Sequence, residues 1–224
     1  MKMPWSDQLI HFVDFEGSVA SGILEYGVVT LRGREIVGAQ TRLCRATGRV
    51  RDEDAALHGI EASSVADHAP FGDDFEVFAR LRETGPLAAH FANAENTLIK
   101  AVWPYPRTSP DFARPGAAVT EWGPWIDTGR LYPQLYPSLT SAKLADLVAA
   151  FALQSRLDAL AAEHCPAERR RYHAALYDAL AGALLLLRLA EEPSLAAQSV
   201  AWLLEMSTLD GGKRDALRQG GLFD

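Results

Sequence analysis

Gln8-Leu9-Ile10-His11-Phe12-Val13-Asp14 is the stretch that decides the fold, because its middle is apolar and its end is acidic. Such a run predicts a buried strand with a carboxylate at its tip. Two runs rich in β-branched residues follow, ILEYGVVTL at 23–31 and EIVGAQTRL at 35–43. The Arg-Gly-Arg link between them suits a tight turn and predicts a hairpin. Three consecutive strands with short links predict an antiparallel meander.

The hydrophobic periodicity changes after about residue 70. Asp73 or Asp74 suits the N-cap of a helix whose apolar positions are Phe75, Val77, Phe78 and Leu81. Strands are then predicted at 87–91 and 125–128, and helices at 95–102, 141–152 and 172–190. The last helix is predicted to carry its leucines on one side, at Leu176, Leu180, Leu184 and Leu187. This order of elements predicts an α/β fold, a mixed sheet covered by helices.

Residues 103–124 interrupt this pattern, since they hold five of the 12 prolines in the chain. Proline removes a backbone donor and fixes φ, so the segment is predicted to be an irregular loop. Its aromatic and arginine side chains suit either of two roles, stacking on unpaired bases or packing on their own domain. Packing is the favoured interpretation. These side chains are Trp103, Tyr105, Arg107, Arg114 and Trp122.

Composition excludes several classes of protein. The chain has 224 residues, a mass of 24.4 kDa and a formal net charge of −7, so it does not suit coating of nucleic acid by a broad cationic face. An enzyme that holds only a strand end remains possible. Cys44 and Cys165 form no CxxC motif. No signal peptide and no membrane-length apolar run is evident, so we expect a cytoplasmic protein with no membrane partner. P-loop, GxGxxG, GxSxG and HExxH motifs are absent.

Three segments of the sequence carry acidic residues that could belong to a catalytic or metal-binding site. Asp14 and Glu16 lie two residues apart at a strand end, so their carboxylates share a face and repel one another unless a cation lies between them. Glu95 follows the predicted strand that contains His90, and Asp178 follows His173 at the start of an apolar helix. Each feature alone has an ordinary explanation: a solvated strand end, a capping acid, or a surface histidine.

Taken in order, these segments resemble the three motifs of the DEDDh, or DnaQ-like, 3′–5′ exonucleases. The resemblance rests on Asp14-x-Glu16, His90…Glu95 and His173-x4-Asp178. It extends to Leu57-His58-Gly59-Ile60 and to the segments WIDT at 125–128 and KLADL at 143–147. It covers roughly residues 8–190. The resemblance implies an RNase H-like fold, a five-stranded mixed sheet whose first three strands are antiparallel. We therefore predict an exonuclease domain at 1–190, containing the loop 103–124, and a C-terminal helical extension at 191–224.

The resemblance also implies a two-metal hydrolysis of phosphodiesters at 3′ ends of single-stranded DNA or RNA, with release of nucleoside 5′-monophosphates. Mg²⁺ or Mn²⁺ would be the two divalent cations, because both prefer hard oxygen ligands. Asp14 would bridge them, Glu16 and Asp178 would hold the ion that carries the attacking water, and Glu95 would hold the other. His173 would be the general base. Residues matching the family's substrate-binding neighbourhoods are Phe15, Gly17, His58 and Phe91.

Spacing places His173 outside the last helix. Five residues separate it from Asp178, which is about 140° on a regular helix. We therefore expect His173 in the loop or the first turn before that helix. The preceding Arg169-Arg170-Arg171 suits a solvated charge run better than a phosphate contact.

The second motif departs from the family pattern. Glu95 stands where the family has aspartate, and Phe91 stands where it has asparagine. One more methylene moves the carboxylate by about 1.5 Å, so a catalytically weak nucleic-acid or nucleotide-binding module is the alternative hypothesis. A third possibility is an interaction subunit that uses residues 194–224, with 219–223 as a docking peptide. A homodimer and a polymerase or repair partner also stay open.

Overall fold

The computed structural model describes residues 3–212, 214 and 215. Five strands form the main sheet: β1 (Leu9–Ser18), β2 (Gly22–Arg32), β3 (Glu35–Leu43), β4 (Leu87–Ala89) and β7 (Ile126–Asp127). Their order is β3-β2-β1-β4-β7, with β1, β2 and β3 antiparallel and with β4 and β7 running parallel to β1. The predicted mixed five-stranded sheet is confirmed. The other strands among the described residues are β5 (Ser109–Pro110) and β6 (Ala118–Val119), which pair with each other.

Helices cover this sheet. They are α1 (Asp52–His58), α2 (Phe75–Thr84), α3 (Asn93–Val102), α4 (Thr128–Leu135), α5 (Leu144–Ala150), α6 (Gln154–His164), α7 (Ala175–Ala190), α8 (Pro193–Ala196) and α9 (Val200–Ser207). Four short 3₁₀ turns lie at Trp5–Asp7, Ser63–Val65, Phe71–Asp74 and Ala167–Arg169. The prediction did not contain α1, α4 or α6.

Strand β1 pairs antiparallel with β2 along its whole length, and Glu16 lies opposite Glu25. The register shifts between Glu16 and Gly17. Gly17 has a φ of 132°, and a Cβ there would lie 2.3 Å from the carbonyl oxygen of Gly22. Glycine is therefore required at this bulge. The bulge shifts the register of the ladder immediately beyond the two carboxylates of β1.

The long helix α7 crosses β1 and β2 at close range. A Cβ at Gly27 of β2 would lie 2.4 Å from the backbone of Ala175, so glycine permits this close approach. Every α7 residue except Arg188 is buried. The leucines predicted to share one side of α7 are buried, and the rest of the helix is buried with them because α5 and α6 also pack against it.

Several predicted boundaries are wrong. The strand predicted at 87–91 ends at Ala89, and Thr128 begins α4 where a strand residue was predicted. The helix predicted at 141–152 covers Leu144–Ala150 only. The helix predicted at 172–190 starts at Ala175 because His173 adopts a left-handed conformation with a φ of 61°.

The loop 103–124 packs on its own domain, as the favoured interpretation stated. Trp122 is buried, and its indole N–H donates to the carbonyl of Trp103 at 2.7 Å. The buried Arg82 donates to the carbonyls of Arg107 and Glu121. Tyr105 remains exposed. The segment was predicted to be irregular, but it contains β5 and β6, which pair in a two-stranded antiparallel ladder.

The C-terminal segment packs against the start of the chain. The backbone N–H of Trp5 donates to the carbonyl of Gln198 at 2.8 Å, and its indole N–H donates to the carbonyl of Leu195 at 2.7 Å. Leu203 and Leu204 of α9 belong to the main hydrophobic core. The proposed docking peptide at 219–223 lies outside the described residues. Within the described residues, no helix has both the length and the apolarity to cross a membrane.

Candidate active site

The first two acidic residues lie at the end of β1. Asp14 is half-buried, and Glu16 is buried at 8% exposure. They lie two residues apart on one strand, so their carboxylates share a face. The central position of β1, between β2 and β4, brings this face next to segments that follow β4. The end of β1 is therefore not a solvated strand terminus, which was the explanation of Asp14 and Glu16 that needed no functional site.

Glu95 reaches the same place from the first turn of α3. The turn before α3 is fixed by Asp127, whose carboxylate accepts the backbone N–H groups of Phe91 (2.9 Å) and Ala92 (3.1 Å). Glu95 is 5% exposed, and its Oε2 has no hydrogen-bond partner among the described residues. The buried aspartate of β7 thus holds the segment that aims Glu95 inward.

His173 and Asp178 come from the start of α7. The backbone N–H of His173 donates to Oδ2 of Asp178 at 3.0 Å, and the His173 side chain is exposed. Its place before the helix agrees with the spacing argument. Asp178 is 8% exposed, and its Oδ1 has no partner within the described chain. Glu16, His173 and Asp178 each offer one ligand atom, and these atoms all lie within 4.8 Å of one another.

Electrostatics show that the acids act on one another. Burial raises the pKa of Glu16 to about 8, with Asp178 and Glu25 adding to the rise. Burial likewise raises the pKa of Asp178 to about 7, although the backbone N–H of His173 opposes this rise. The pKa of Asp14 lies well above its usual range because of burial and the charges of Glu95, Asp178, Glu16 and Glu25.

The pKa of Glu95 also lies well above its usual range, mainly through burial and then through the charge of Glu16. The backbone N–H of Phe15 partly offsets this rise. Asp14, Glu16, Glu95 and Asp178 thus form one mutually repelling group, which we call the carboxylate cluster.

The donor set fits divalent cations. Two buried carboxylate oxygens, Oε2 of Glu95 and Oδ1 of Asp178, have no protein donor among the described residues. A buried acceptor without a partner is costly, and a bound cation removes that cost. Carboxylate oxygens are the ligands that Mg²⁺ and Mn²⁺ prefer, and no cysteine lies in the cluster. The residues present therefore fit hard divalent ions.

The residues assigned to substrate binding have different environments. Phe15 is buried, and its ring packs against Phe71 at 5.4 Å and Phe78 at 5.6 Å. Phe91 is 38% exposed and has a left-handed φ of 58°, with the Arg130 guanidinium 5.6 Å from its ring centre. The Phe15 ring is thus a core side chain, while the Phe91 ring reaches the surface.

His58 is buried at the end of α1. Its Nδ1 accepts the backbone N–H of Ile60 at 3.1 Å, so Nε2 carries the proton in the neutral ring. That Nε2 has no partner in the described part of the chain. His90, by contrast, has both ring nitrogens engaged, with Thr128 Oγ1 and with the carbonyl of Ala142, each at 2.9 Å. His90 therefore ties β4 to α4 and to the segment before α5.

Sequence reasoning missed three residues beside the cluster. Glu25 and Arg169 are both buried and form an ion pair, and Arg171 donates to the carbonyls of Leu57 and His58. The expected solvated arginine run is wrong for Arg169, which is buried, whereas Arg170 and Arg171 are exposed as expected. Each of the three guanidinium groups also donates to a backbone carbonyl. Three consecutive arginines in a sequence do not indicate that their guanidinium groups will bond to backbone carbonyls. The placement of Glu25 opposite Glu16 was available only from strand register.

Comparisons with known proteins agree with this architecture. No family model and no curated protein matches the sequence. Among solved structures, Exonuclease X in complex with 5′-overhanging duplex DNA has a TM-score of 0.61 at 21% identity, over 87% of this chain and 99% of that chain. The nuclease domain of 3′hExo, described as a DEDDh family member bound to rAMP, has a TM-score of 0.58 at 16% identity, over 86% and 96%.

E. coli Exonuclease I in complex with a dT13 oligonucleotide has a TM-score of 0.62 at 11% identity, over 93% of this chain and 46% of that chain. This chain thus spans about half the length of Exonuclease I. At these identities the likeness shows the fold: the chain has the RNase H-like α/β architecture that these exonucleases share.

Proposed function

We propose that the protein is a metal-dependent 3′–5′ exonuclease that removes nucleoside 5′-monophosphates from single-stranded ends of nucleic acid. The observation that carries the proposal is the carboxylate cluster. Its members arrive from three separate segments, β1, α3 and α7, and meet beside an exposed histidine. Carboxylates raise one another's pKa in this way at sites that hold cations or move protons.

Asp14, Glu16, Glu95 and Asp178 would hold two divalent ions, Mg²⁺ or Mn²⁺. Ions bound there would lower the pKa of a coordinated water and would neutralise charge on the phosphate. Asp14 would be a ligand of both ions, Glu16 and Asp178 would hold the ion that carries the attacking water, and Glu95 would hold the other. The fit rests on the all-oxygen donor set and on one oxygen each of Glu95 and Asp178 that has no hydrogen-bond partner among the residues the structure describes.

His173 is the proposed general base. Its ring is exposed, and one of its nitrogens lies within 4.8 Å of carboxylate oxygens of Glu16 and Asp178. An imidazole nitrogen can accept a proton from an attacking water, and solvent access lets the ring pass that proton on. Its backbone is fixed by Asp178, so the ring is held beside the cluster without being buried in it.

A strand end suits this site better than a duplex interior. The net charge of −7 disfavours binding along a duplex through a broad cationic surface. The proposed contacts to the terminal nucleotide are the bulge at Gly17, the exposed ring of Phe91 and Nε2 of His58, which has no hydrogen-bond partner within the described part of the chain. An aromatic ring can stack on an unpaired base. The backbone around the buried Phe15 lies on the same strand end.

A 5′-labelled oligonucleotide tests the proposal. With Mg²⁺ or Mn²⁺ we expect stepwise shortening from the 3′ end, and no shortening with EDTA. Asp14→Asn is the inactive control, because it removes the bridging charge while keeping the side-chain shape. If neither DNA nor RNA is shortened with any divalent ion, the proposal is wrong.

Glu95 supports a second candidate function, a nucleic-acid or nucleotide-binding module with weak or no turnover. Glutamate stands here in place of the shorter aspartate of the resembling motif, and displacement of about 1 Å can disable a catalytic site. Binding without cleavage, with cleavage appearing in Glu95→Asp, would favour this candidate. Loss of an existing activity in Glu95→Asp would contradict it.

A further inference from the structure

Arg169 occupies an unusual place for a residue in a run of three arginines. It is 9% exposed and lies at the end of the 3₁₀ turn before α7. Its Nε donates to Oε1 of Glu25 at 3.1 Å, and its Nη2 donates to Oε2 of the same carboxylate. This two-pronged geometry is one that arginine makes and lysine cannot reproduce.

Glu25 connects this pair to the start of α7. Its carboxylate also accepts the backbone N–H of Ala175, the first residue of the helix, at 3.0 Å. Glu25 lies on β2 directly opposite Glu16, which belongs to the carboxylate cluster. The pair therefore connects the sheet, the turn before α7 and the helix that carries Asp178.

The segment held in this way includes His173. Arg169 donates from Nη1 to the carbonyl of His58 at 2.6 Å and from Nη2 to the carbonyl of His173 at 3.4 Å. The N–H of His173 donates to Asp178 at 3.0 Å. Both backbone polar groups of His173 thus have partners, although its left-handed φ of 61° is one that residues with a Cβ seldom adopt. Such a conformation persists only where surrounding contacts impose it.

We propose that Arg169, through its ion pair with Glu25, is a positioning residue that holds His173 in its left-handed conformation beside the carboxylate cluster. The inference rests on the proposed function insofar as His173 is the base. Arg169 does not touch the substrate in this account, since its guanidinium is engaged by Glu25 and by two backbone carbonyls. A role limited to neutralising the buried Glu25 would leave His173 unaffected by a charge-conserving substitution.

The chain offers a matched control in the next residue. Arg170 donates to the carbonyls of Cys165 (3.1 Å) and Ala162 (3.0 Å), and so ties its segment to α6 instead of to the cluster. Arg169→Lys and Arg170→Lys are thus the same substitution in one run, of which only the first removes the contacts to Glu25 and His173. Glu25→Gln is a second variant, because it weakens the ion pair and leaves Arg169 in place. Near-UV circular dichroism checks that each variant is folded.

Amide hydrogen exchange measures the conformation without requiring activity. We expect protection of the His173 N–H to fall at least tenfold in Arg169→Lys and in Glu25→Gln, and to change less than threefold in Arg170→Lys. Unchanged protection in folded Arg169→Lys would overturn the inference; if that variant is unfolded, the Glu25→Gln result decides in the same way. A wild-type protein that cleaves nothing would refute the proposed function, while the exchange result would still decide the positioning.

Kinetics then test whether the effect passes through His173. We expect Arg169→Lys to lower kcat at least tenfold with KM changed less than threefold, and Arg170→Lys to change neither. In a His173→Ala background, adding Arg169→Lys should lower the residual rate less than threefold, because residues that act through one group are not additive. An equal loss in both backgrounds would show that Arg169 does not act through His173 and would overturn the inference.

Discussion

Glu16→Gln should stabilise the metal-free protein at pH 8. Glu16 is buried, and its pKa is raised from 4.5 to about 8. Between these two values the folded chain holds a proton that the unfolded chain has released. Stability therefore falls as pH rises through that window, because the folded state binds more protons. Glutamine keeps the shape of the side chain but does not titrate. The variant should therefore not lose stability through this window as wild type does.

The size of the effect follows from the same two values. One extra bound proton changes the free energy of unfolding by about 1.4 kcal/mol per pH unit. Titration is incomplete at both ends of the window, so between pH 5 and pH 8 wild type should lose about 3 kcal/mol more than the variant. At pH 5 the two proteins should agree within about 1 kcal/mol.

Urea unfolding in EDTA at pH 5, 6.5 and 8 measures this difference directly. Glu35→Gln is the matched control, since Glu35 is an exposed strand carboxylate on β3; it should follow wild type. A Glu16→Gln protein with the same dependence on pH as wild type would refute the reasoning. It would mean that Glu16 is not held in a buried, repelling cluster.

Three further predictions concern the cluster and its rim. Mn²⁺ should raise the melting temperature, more at pH 8 than at pH 6 because Glu16 and Asp178 are then deprotonated; an equal rise in Asp14→Ala, measured by calorimetry, would contradict this. Glu95→Asp should lower kcat at least tenfold in the nuclease assay if the backbone is set for glutamate, and a gain of activity would instead support the binding-module candidate. Phe91→Asn should be more stable than Phe91→Ala by about 1 kcal/mol in urea unfolding, since asparagine tolerates the left-handed conformation; equal stabilities would show that the backbone there is not strained.

The sequence predicted the elements that local pattern controls. The run ending at Asp14 and the two β-branched runs after it became β1, β2 and β3, because alternation and a tight turn are local properties. The spacing of His173 and Asp178 also predicted correctly that the histidine precedes the helix. These features depend on residues that are neighbours in the chain.

Features set by tertiary contact were not predictable in the same way. The leucines of α7 suggested one apolar side, but the rest of the helix is buried with them because α5 and α6 also pack against it. Arg169 appeared to belong to a solvated charge run, yet its partner Glu25 lies 144 residues away. Asp127 was recognised as part of the segment WIDT at 125–128. That segment does not show that the Asp127 carboxylate accepts a backbone N–H of the turn before α3. Convergence of Glu95 with β1 was expected from resemblance alone.

Anomalous diffraction from a crystal soaked with Mn²⁺ and a nucleoside monophosphate tests the central claim most directly. We expect two manganese peaks about 3.5–4 Å apart, ligated by carboxylate oxygens of Asp14, Glu16, Glu95 and Asp178. No peak at the cluster, or peaks bound elsewhere with these four side chains unligated, would contradict the account.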